Sequence, residues 1–262
     1  MPDQQSPPVD VTRPNIARVY DYWLGGKDNY AADRAEAKRL LRVNPLLPQW
    51  ARQNRMFQAR AVTWLARHGD VRQFIDIGCG LPTVQNTHQI AQAAHPDCRV
   101  AYVDNDPVVV CHARALLSSG PGVTALPGDL ATSDAILADP GLLDLIDLGK
   151  PVAVILAMVL HFFDAATART IAGMITRAIV PGSYLVISVG CGDEELAREY
   201  QAAPVCNHSP AQVRGFFDGL EVIPPGLADA QAWVPGSAAP PVQTSRDRGH
   251  ILVGAGRKPE RP

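Results

Sequence analysis

Two short apolar segments constrain the fold of this chain more than any other feature. The first, residues 73–80, reads QFIDIGCG, and the second, residues 99–107, reads RVAYVDNDP. Each begins like a short buried strand, and the first stops on glycines whereas the second stops on acids. Glycine has no Cβ, so it lets a backbone turn tightly and come close to a ligand. The pair therefore predicts two neighbouring parallel strands that end at a site for a nucleotide-like ligand.

Asp104 stands at the carboxyl end of the second predicted strand. Ligands of open α/β sheets bind outside the carboxyl ends of the strands, and an acid there can accept both hydroxyl groups of a ribose. An ordinary strand-to-helix turn would also use Gly78 and Gly80, and Asp104 could simply cap a turn. Asp106 is however the better helix cap, because Pro107 follows it at the first helical position.

The composition excludes several classes of protein. With 262 residues and a formal net charge of −2, the chain has the size of one α/β domain with an appendage and no bulk attraction for nucleic acid. Its longest apolar run, residues 152–160, is too short to span a bilayer. Five cysteines, with no CxxC pair and no signal peptide, indicate free thiols in a cytoplasmic protein. No metal site is expected, because no HxxxH or Cys/His cluster occurs.

Helical periodicity precedes the first strand. Asn15 is suited to cap a helix that Gly25 and Gly26 end, and two further helices are predicted over about 30–42 and 49–68. We expect these helices to form a cap on the domain that follows. The predicted divisions are a disordered tail (1–12), a helical cap (13–70), an α/β domain (71–257) and a second tail (258–262).

Strands and helices alternate after the cap. Five strands that alternate with helices, followed by an antiparallel pair, predict an α/β fold with a doubly wound, seven-stranded mixed sheet. The predicted strands lie near residues 74–77, 99–103, 123–127, 152–158, 184–189, 220–223 and 250–254.

This order of elements resembles the class I S-adenosylmethionine-dependent methyltransferases, which have a Rossmann-like sheet. A longer pattern looks like a bacterial, largely actinobacterial family labelled S-adenosyl methyltransferase, and it covers roughly residues 13–256. The YDYWLGG stretch is specific to that family, whereas the glycine loop alone is a weak signature. The segments that carry the resemblance are 18–28, 54–55, 73–80, 102–107, Asp129, 160–163 and 181–188.

The resemblance implies S-adenosyl-L-methionine as the cofactor and S-adenosyl-L-homocysteine as its product. In that family pattern, the loop with Asp76, Gly78 and Gly80 would cradle the methionine part of the cofactor. Asp104 would hold the ribose hydroxyls.

The resemblance also implies an adenine site. Asn105 or Asp106 would lie beside the adenine, and Asp129 with the backbone of Leu130 would reach its amino edge. Asp129 could instead be only a turn residue that follows Gly128.

The helical cap is expected to close over the cofactor. Tyr20 and Arg18 are the candidates for that contact by the same resemblance. Asn54 and Arg55, polar residues among apolar neighbours, could point into the cleft or to solvent.

A nicotinamide dinucleotide is the competing ligand. Its fingerprint requires a third glycine three positions after the second, to pack the helix against the strand and admit the pyrophosphate. Here Thr83 occupies that position and Pro82 stiffens the turn. S-adenosylmethionine has no phosphate to place there, so the sequence favours the methyl donor.

His161, which follows the fourth predicted strand, is the candidate catalytic residue. An imidazole there could take a proton from an acceptor oxygen or nitrogen, or it could simply pack against Phe162 and Phe163. We therefore expect a methyltransferase that acts on a small-molecule acceptor. The alternative is a regulatory or interaction protein that binds the cofactor without transfer, because no unambiguous base is present.

Overall fold

The computed structural model describes residues 10–83, 85–117, 120, 122–238 and 249–260. Most of the predicted first tail, and the last two residues of the second, lie outside the described residues. Helices and strands alternate along the chain as predicted. The helices are α1 Ile16–Leu24, α2 Ala31–Val43, α3 Leu47–His68, α4 Thr87–Ala94, α5 Pro107–Leu116, α6 Ser133–Leu137, α7 Pro140–Leu143, α8 Ala165–Ala178, α9 Glu194–Glu199 and α10 Pro210–Gly215. The strands are β1 Gln73–Ile77, β2 Arg99–Asp104, β3 Val123–Pro127, β4 Ala153–Ala157, β5 Tyr184–Cys191, β6 Glu221–Val222, β7 Ala228–Asp229 and β8 His250–Arg257.

The strands form one mixed sheet. Their order is β3-β2-β1-β4-β5-β8-β6, with β7 also paired to β8. The first five strands are parallel, and β8 runs antiparallel to β5, β6 and β7. The chain order reverses at β1, which lies between β2 and β4, so the crevice outside the carboxyl end of β1 is the expected ligand site.

The predicted doubly wound mixed sheet is confirmed, with two differences in detail. The two-residue strand β7 was not predicted, because it lies in a stretch rich in glycine, proline and alanine. Strand β8 extends to Arg257 instead of ending near Gly254, since Gly254 and Gly256 pack closely against the ring of Phe217.

Two apolar layers cover the sheet. Alternation along β1 sends Phe74 towards the cap helices and Ile75 towards α6, α8 and α10. Phe57 of α3 and Phe74 belong to the same buried cluster. The helical cap, by which we mean α1 to α3, therefore shares a core with the sheet.

The ends of the cap helices follow from the sequence. The side chain of Asn15 accepts a hydrogen bond from the Arg18 amide at the start of α1, and Gly25 ends that helix with a φ of 83°. Gly69 follows the last residue of α3. None of the helices within the described ranges is both long enough and apolar enough to cross a membrane.

Candidate active site

A cavity of about 460 Å³ opens at the carboxyl ends of β1, β2, β4 and β5, under the helical cap. Its volume lies within the range of roughly 300–1,000 Å³ that is usual for small-molecule sites. Most of the predicted site residues line it, and they come from separate strand ends. These are Tyr20, Asp76, Gly78, Gly80, Asp104, Asn105, Asp106, Asp129, Leu130 and His161.

The glycine bend follows β1. Gly78 and Gly80 have φ values of 70° and 66°, in the left-handed region that disfavours other residues. A Cβ on Gly78 would come within 2.3 Å of Val159 Cγ1, whereas a Cβ on Gly80 would meet nothing within 4 Å. Because Gly80 lines the cavity, that open space is room for a ligand against the bare backbone.

Asp104 connects the end of β2 to this bend. Its Oδ2 accepts a hydrogen bond of 2.9 Å from the Gly80 amide, and its Oδ1 accepts one of 3.0 Å from the Asp106 amide. The side chain is only 8% exposed, and burial raises its pKa to about 6 although both backbone bonds favour the charged form. The carboxylate is thus held in one orientation at the cavity.

Asp76, inside β1, is also buried and oriented. Its Oδ2 accepts hydrogen bonds from Gln58 Nε2 at 2.8 Å and from Thr87 Oγ1 at 2.6 Å. Burial raises the pKa of this carboxyl, and the two donors together with Arg55 act against that shift. Helices α3 and α4 therefore fix an acid on the floor of the cavity.

Arg55 is the one lysine or arginine among the described residues that line the cavity, whereas six aspartates line it. Its guanidinium donates to Gln58 Oε1 at 3.0 Å, Thr83 Oγ1 at 2.7 Å and the Gln85 carbonyl at 3.0 Å. The sequence left open whether Asn54 and Arg55 point into the cleft or to solvent. Both line the cavity, so both point into the cleft. A single cation beside the glycine bend suits a ligand with one carboxylate.

The turns after β2 and β3 carry the remaining predicted cofactor residues. Asp106 caps α5 by accepting from the Val108 amide at 2.7 Å, and it also accepts from the side chain of Asn15 at the start of α1. Asp129 accepts from the Ala131 amide at 2.9 Å and so caps a short 3₁₀ turn that starts at Leu130. The capping role of Asp129 leaves it exposed at the rim, where it still borders the cavity.

Tyr20 reaches the cavity, but Arg18 does not. The Tyr20 hydroxyl donates to the Ala51 carbonyl at 3.1 Å and accepts from Asn54 Nδ2 at 2.9 Å. Arg18 is buried elsewhere in the cap, where its Nε donates to Asp33 Oδ2 at 2.8 Å. The placement of Arg18 differs from the expectation because it lies on the side of α1 that faces α2. The cation near the cofactor loop comes from α3 instead.

The part of the cavity near the ends of β4 and β5 is aromatic. Neighbouring rings lie 4.2 to 6.5 Å apart between centroids. We call this strip the aromatic wall, and it consists of His161, Phe162, Tyr200, Trp23 and Tyr20.

Side chains of helix α2 contact the residues on either side of Tyr200, which lies in the middle of the aromatic wall. The guanidinium of Arg39 contacts both carboxylate oxygens of Glu36, and it also binds the carboxylate and the carbonyl of Glu199 at the end of α9. The Gln201 amide donates to the same Glu36 carboxylate at 3.0 Å. Tyr200 is therefore bracketed by contacts to the cap.

His161 is placed next to the sheet by the chain after β5. Its carbonyl accepts from the Cys206 amide at 2.7 Å, and the residue as a whole is 7% exposed. Burial, with a smaller effect of His208, lowers the pKa of His161 to about 3. The imidazole is therefore neutral at pH 7.

Sequence reasoning missed several lining residues. Residues 190–208 carry no recognisable motif in the sequence, yet they line the cavity, through Tyr200 and Asn207 among others. None of residues 224–238 lines it, and residues 239–248 lie outside the described part of the chain. Gln58 and Met158 were missed too. Met158 has a φ of 58°, a conformation that the sequence does not reveal.

The residues present fit an adenosyl amino acid. The open space beside Gly80 permits close approach of a ligand to the backbone, the buried carboxylate of Asp104 can accept from hydroxyl groups, and Arg55 can pair with a carboxylate. In the described ranges, no group of three histidine, cysteine or acidic residues is arranged to hold a metal ion. The fold and this site together define the class of S-adenosylmethionine-dependent methyltransferases.

Comparison with known proteins identifies the family. The model of the S-adenosyl methyltransferase family matches residues 2–259. The chain therefore belongs to the S-adenosyl methyltransferase family, and S-adenosylmethionine is its cofactor. A search of the curated proteins found no match.

Solved structures agree with the family. A candidate methyltransferase from Thermobifida fusca has 35% identity and a TM-score of 0.89, with 98% of this chain and 100% of that chain covered. A DUF574 family protein from Streptomyces avermitilis has 37% identity and a TM-score of 0.85, with 95% and 99% covered. The N-methyltransferase NodS from Bradyrhizobium japonicum has 16% identity and a TM-score of 0.52, with 93% and 100% covered, and this likeness shows the fold alone.

Proposed function

We propose that this protein transfers the methyl group of S-adenosylmethionine to a neutral small molecule held between the helical cap and the ends of β4 and β5. One observation carries the proposal. The 2.9 Å hydrogen bond from the Gly80 amide to Asp104 Oδ2 joins the glycine bend of one strand to the acid of the next at a single cavity. A cytoplasmic location and the division into residues 13–70 and 71–257 belong to the same proposal.

Each end of the cofactor has residues suited to it. Asp104 would accept the ribose hydroxyls, since its carboxylate is already held by two backbone amides. Arg55 would pair with the carboxylate of the methionine part, and Asp76 would attract its ammonium group. The adenine would lie among residues of the turns after β2 and β3, namely Asn105, Asp106, Asp129 and Leu130.

The chain's own contribution to the reaction is placement. When bound, the cofactor supplies an electrophilic methyl group on a sulfonium. The aromatic wall excludes water and holds the acceptor against the bound cofactor. This positioning accelerates the transfer. His161 remains the candidate base, and its location in the aromatic wall just after β4 supports that role.

Isothermal titration with S-adenosylhomocysteine, followed by turnover with S-adenosylmethionine, tests the proposal. We expect saturable binding, and release of S-adenosylhomocysteine that depends on an added neutral acceptor. Absence of binding would contradict the proposed cofactor site. Tight binding with no turnover on any acceptor would favour the alternative, a regulatory or interaction protein that binds the cofactor. Turnover without added acceptor would point to hydrolysis.

A further inference from the structure

Two buried polar atoms in the cavity have no hydrogen-bond partner among the described residues. They are Nδ1 of His161 and Nδ2 of Asn207. Both residues line the cavity, and His161 belongs to the aromatic wall. Buried polar atoms in native proteins are nearly always paired, so two unpaired ones in one cavity indicate a ligand that completes them.

The backbone brings these two side chains together. The Cys206 amide donates to the His161 carbonyl at 2.7 Å, and His208 Nε2 lies 3.2 Å from the Leu160 carbonyl. Residues 206–208 therefore run alongside residues 160–161. Asn207 stands between the two points of attachment, and both it and His161 line the cavity.

The other residues of the acceptor side of the cavity indicate the shape and charge of the rest of the ligand. The aromatic wall offers ring faces and edges, which suit a planar apolar molecule. Arg55 is the one lysine or arginine among the described lining residues, and it already has three hydrogen bonds beside the glycine bend. An acceptor that carries a carboxylate or phosphate would therefore have no cation at this end of the cavity.

We propose that the methyl acceptor is a neutral, planar molecule whose hydroxyl group accepts a hydrogen bond from Asn207 and donates its proton to Nδ1 of His161. This inference rests on the proposed function, because it names the acceptor of the same site. The amide nitrogen of asparagine is only a donor. Nδ1 of the imidazole is only an acceptor in the tautomer with its proton on Nε2, which is the tautomer that this proposal requires. The group between them must do both.

A hydroxyl satisfies both side chains and still has the electrons that the reaction needs. Its oxygen has two lone pairs, so one accepts from Asn207 while the other attacks the methyl carbon. An amine nitrogen has one lone pair, and a hydrogen bond from Asn207 would occupy it. Asn207 therefore selects oxygen over nitrogen as the nucleophile.

The transfer balances without a further reactant. The acceptor oxygen forms the new O–C bond with a lone pair, the methyl–sulfur bond breaks with its pair remaining on sulfur, and the hydroxyl proton passes to Nδ1 of His161. A positive charge thus leaves the sulfonium as another appears on the imidazole, so the net charge of the cavity is unchanged. The imidazolium then releases its proton to water.

Binding of four matched probes to protein saturated with S-adenosylhomocysteine tests the inference without turnover. The probes are 2-naphthol, naphthalene, 2-naphthylamine and 2-naphthoate, which share one ring system. We expect 2-naphthol to bind about tenfold more tightly than naphthalene, which corresponds to one net hydrogen bond. The carboxylate should bind no more tightly than naphthalene. The amine can donate to Nδ1 of His161, but its delocalised lone pair is a weak acceptor for Asn207, so it should bind less tightly than 2-naphthol.

Variants assign that preference to the two side chains. His161→Phe keeps the ring and Asn207→Leu keeps the approximate volume, and each should reduce the preference for 2-naphthol over naphthalene to about twofold or less. His68→Phe, outside the cavity, should leave it unchanged. Unaltered affinity for S-adenosylhomocysteine shows that each variant is folded.

Three results would overturn the inference. They are equal affinity for 2-naphthol and naphthalene, binding of the amine or the carboxylate at least as tight as that of 2-naphthol, and an undiminished hydroxyl preference in both variants. Failure of the wild-type protein to bind S-adenosylhomocysteine would be a different result, because it would contradict the proposed function and the inference together.

Discussion

The two halves of the cavity differ in how their polar groups are satisfied. In the cofactor half, Asp76 and Asp104 each accept two hydrogen bonds from the protein itself. In the acceptor half, His161 Nδ1 and Asn207 Nδ2 are buried, and no described residue bonds them. The acids of the first half are therefore oriented by the protein alone, whereas we propose that the second half is completed by its ligand.

The difference follows from where the residues come from. The cofactor half is built on β1 and β2 and the turns that follow them, so neighbouring strands fix its geometry. The acceptor half combines residues of the cap with the chain after β4 and β5, and it contains the aromatic wall. Residues oriented by the sheet suit a cofactor that does not change from one methyltransferase to another. Side chains of the aromatic wall suit the acceptor of one particular enzyme.

Removal of the Asp104 carboxylate should weaken cofactor binding more than any other change considered below. Asp104→Asn places an N–H donor against the amide of either Gly80 or Asp106, and it loses the charged acceptor for the ribose hydroxyls. We expect the affinity for S-adenosylhomocysteine to fall roughly 100-fold at pH 7.5, measured by titration calorimetry. Asp164→Asn, at an exposed helix cap outside the cavity, is the control. Wild-type affinity in Asp104→Asn would show that the ribose lies elsewhere.

Loss of the cation should affect only the amino acid end of the cofactor. Arg55→Gln should weaken S-adenosylhomocysteine roughly 30-fold, since a hydrogen bond to a charged group contributes about 2 kcal/mol. Adenosine, which has no carboxylate, should bind the variant as it binds the wild type. Arg52→Gln, exposed on the same helix, is the matched control. Equal losses for both ligands would mean that Arg55 acts on the fold instead of on the carboxylate.

Acidification should weaken the cofactor half gradually. The pKa of Asp104 is raised to about 6, so the carboxylate that accepts hydroxyls predominates above pH 6 and is lost below it. The affinity for S-adenosylhomocysteine should therefore fall roughly tenfold between pH 7 and pH 5. The ligand-free protein responds in the opposite direction, because a raised pKa in the folded state removes stability as the pH rises through about 6. A flat pH profile in wild type, or an unchanged one in Asp104→Asn, would remove Asp104 from this role.

Loss of the Arg39 contacts should have the smallest effect, and it should alter binding in the acceptor half only. Arg39→Met breaks the contacts of Arg39 with Glu36 and Glu199, and so loosens Tyr200 in the aromatic wall. Binding of 2-naphthol should fall about threefold, the range expected for a partly exposed ion pair, while S-adenosylhomocysteine binds as before. Lys38→Gln, exposed on the same helix, is the control. A loss of cofactor affinity in Arg39→Met would show that the halves are not independent.

The residues proposed for the cofactor half could be named from the sequence because their signals are local, and they line one cavity. Gly78 and Gly80 follow an apolar run directly, and Asp104 ends the next one. The cap helices were predicted for the same reason, since Asn15 and Gly25 mark the two ends of α1. Which cap residues face the cavity was harder, and Arg18 and Arg55 show why. Both are arginines on amphipathic helices, and only packing decides that one pairs with Asp33 while the other borders the glycine bend.

The acceptor half could not be predicted in the same way. Tyr200 and Asn207 lie in a stretch without a recognisable motif, and their roles depend on contacts with residues distant in the chain. The short helix α9 was not predicted at all. An unpaired buried atom such as His161 Nδ1 is a property of three-dimensional packing, and no spacing in a sequence reports it. The candidate base was named because it follows a strand, but Asn207, which we propose acts with it, was not.

The bridge made by Arg39 has a consequence for how this family can diversify. It fastens two stretches of chain that lie 160 positions apart, and the ring of Tyr200 depends on both. A lineage that takes up a new substrate must therefore alter the two stretches together, whereas the strands that meet the methyl donor can be inherited intact.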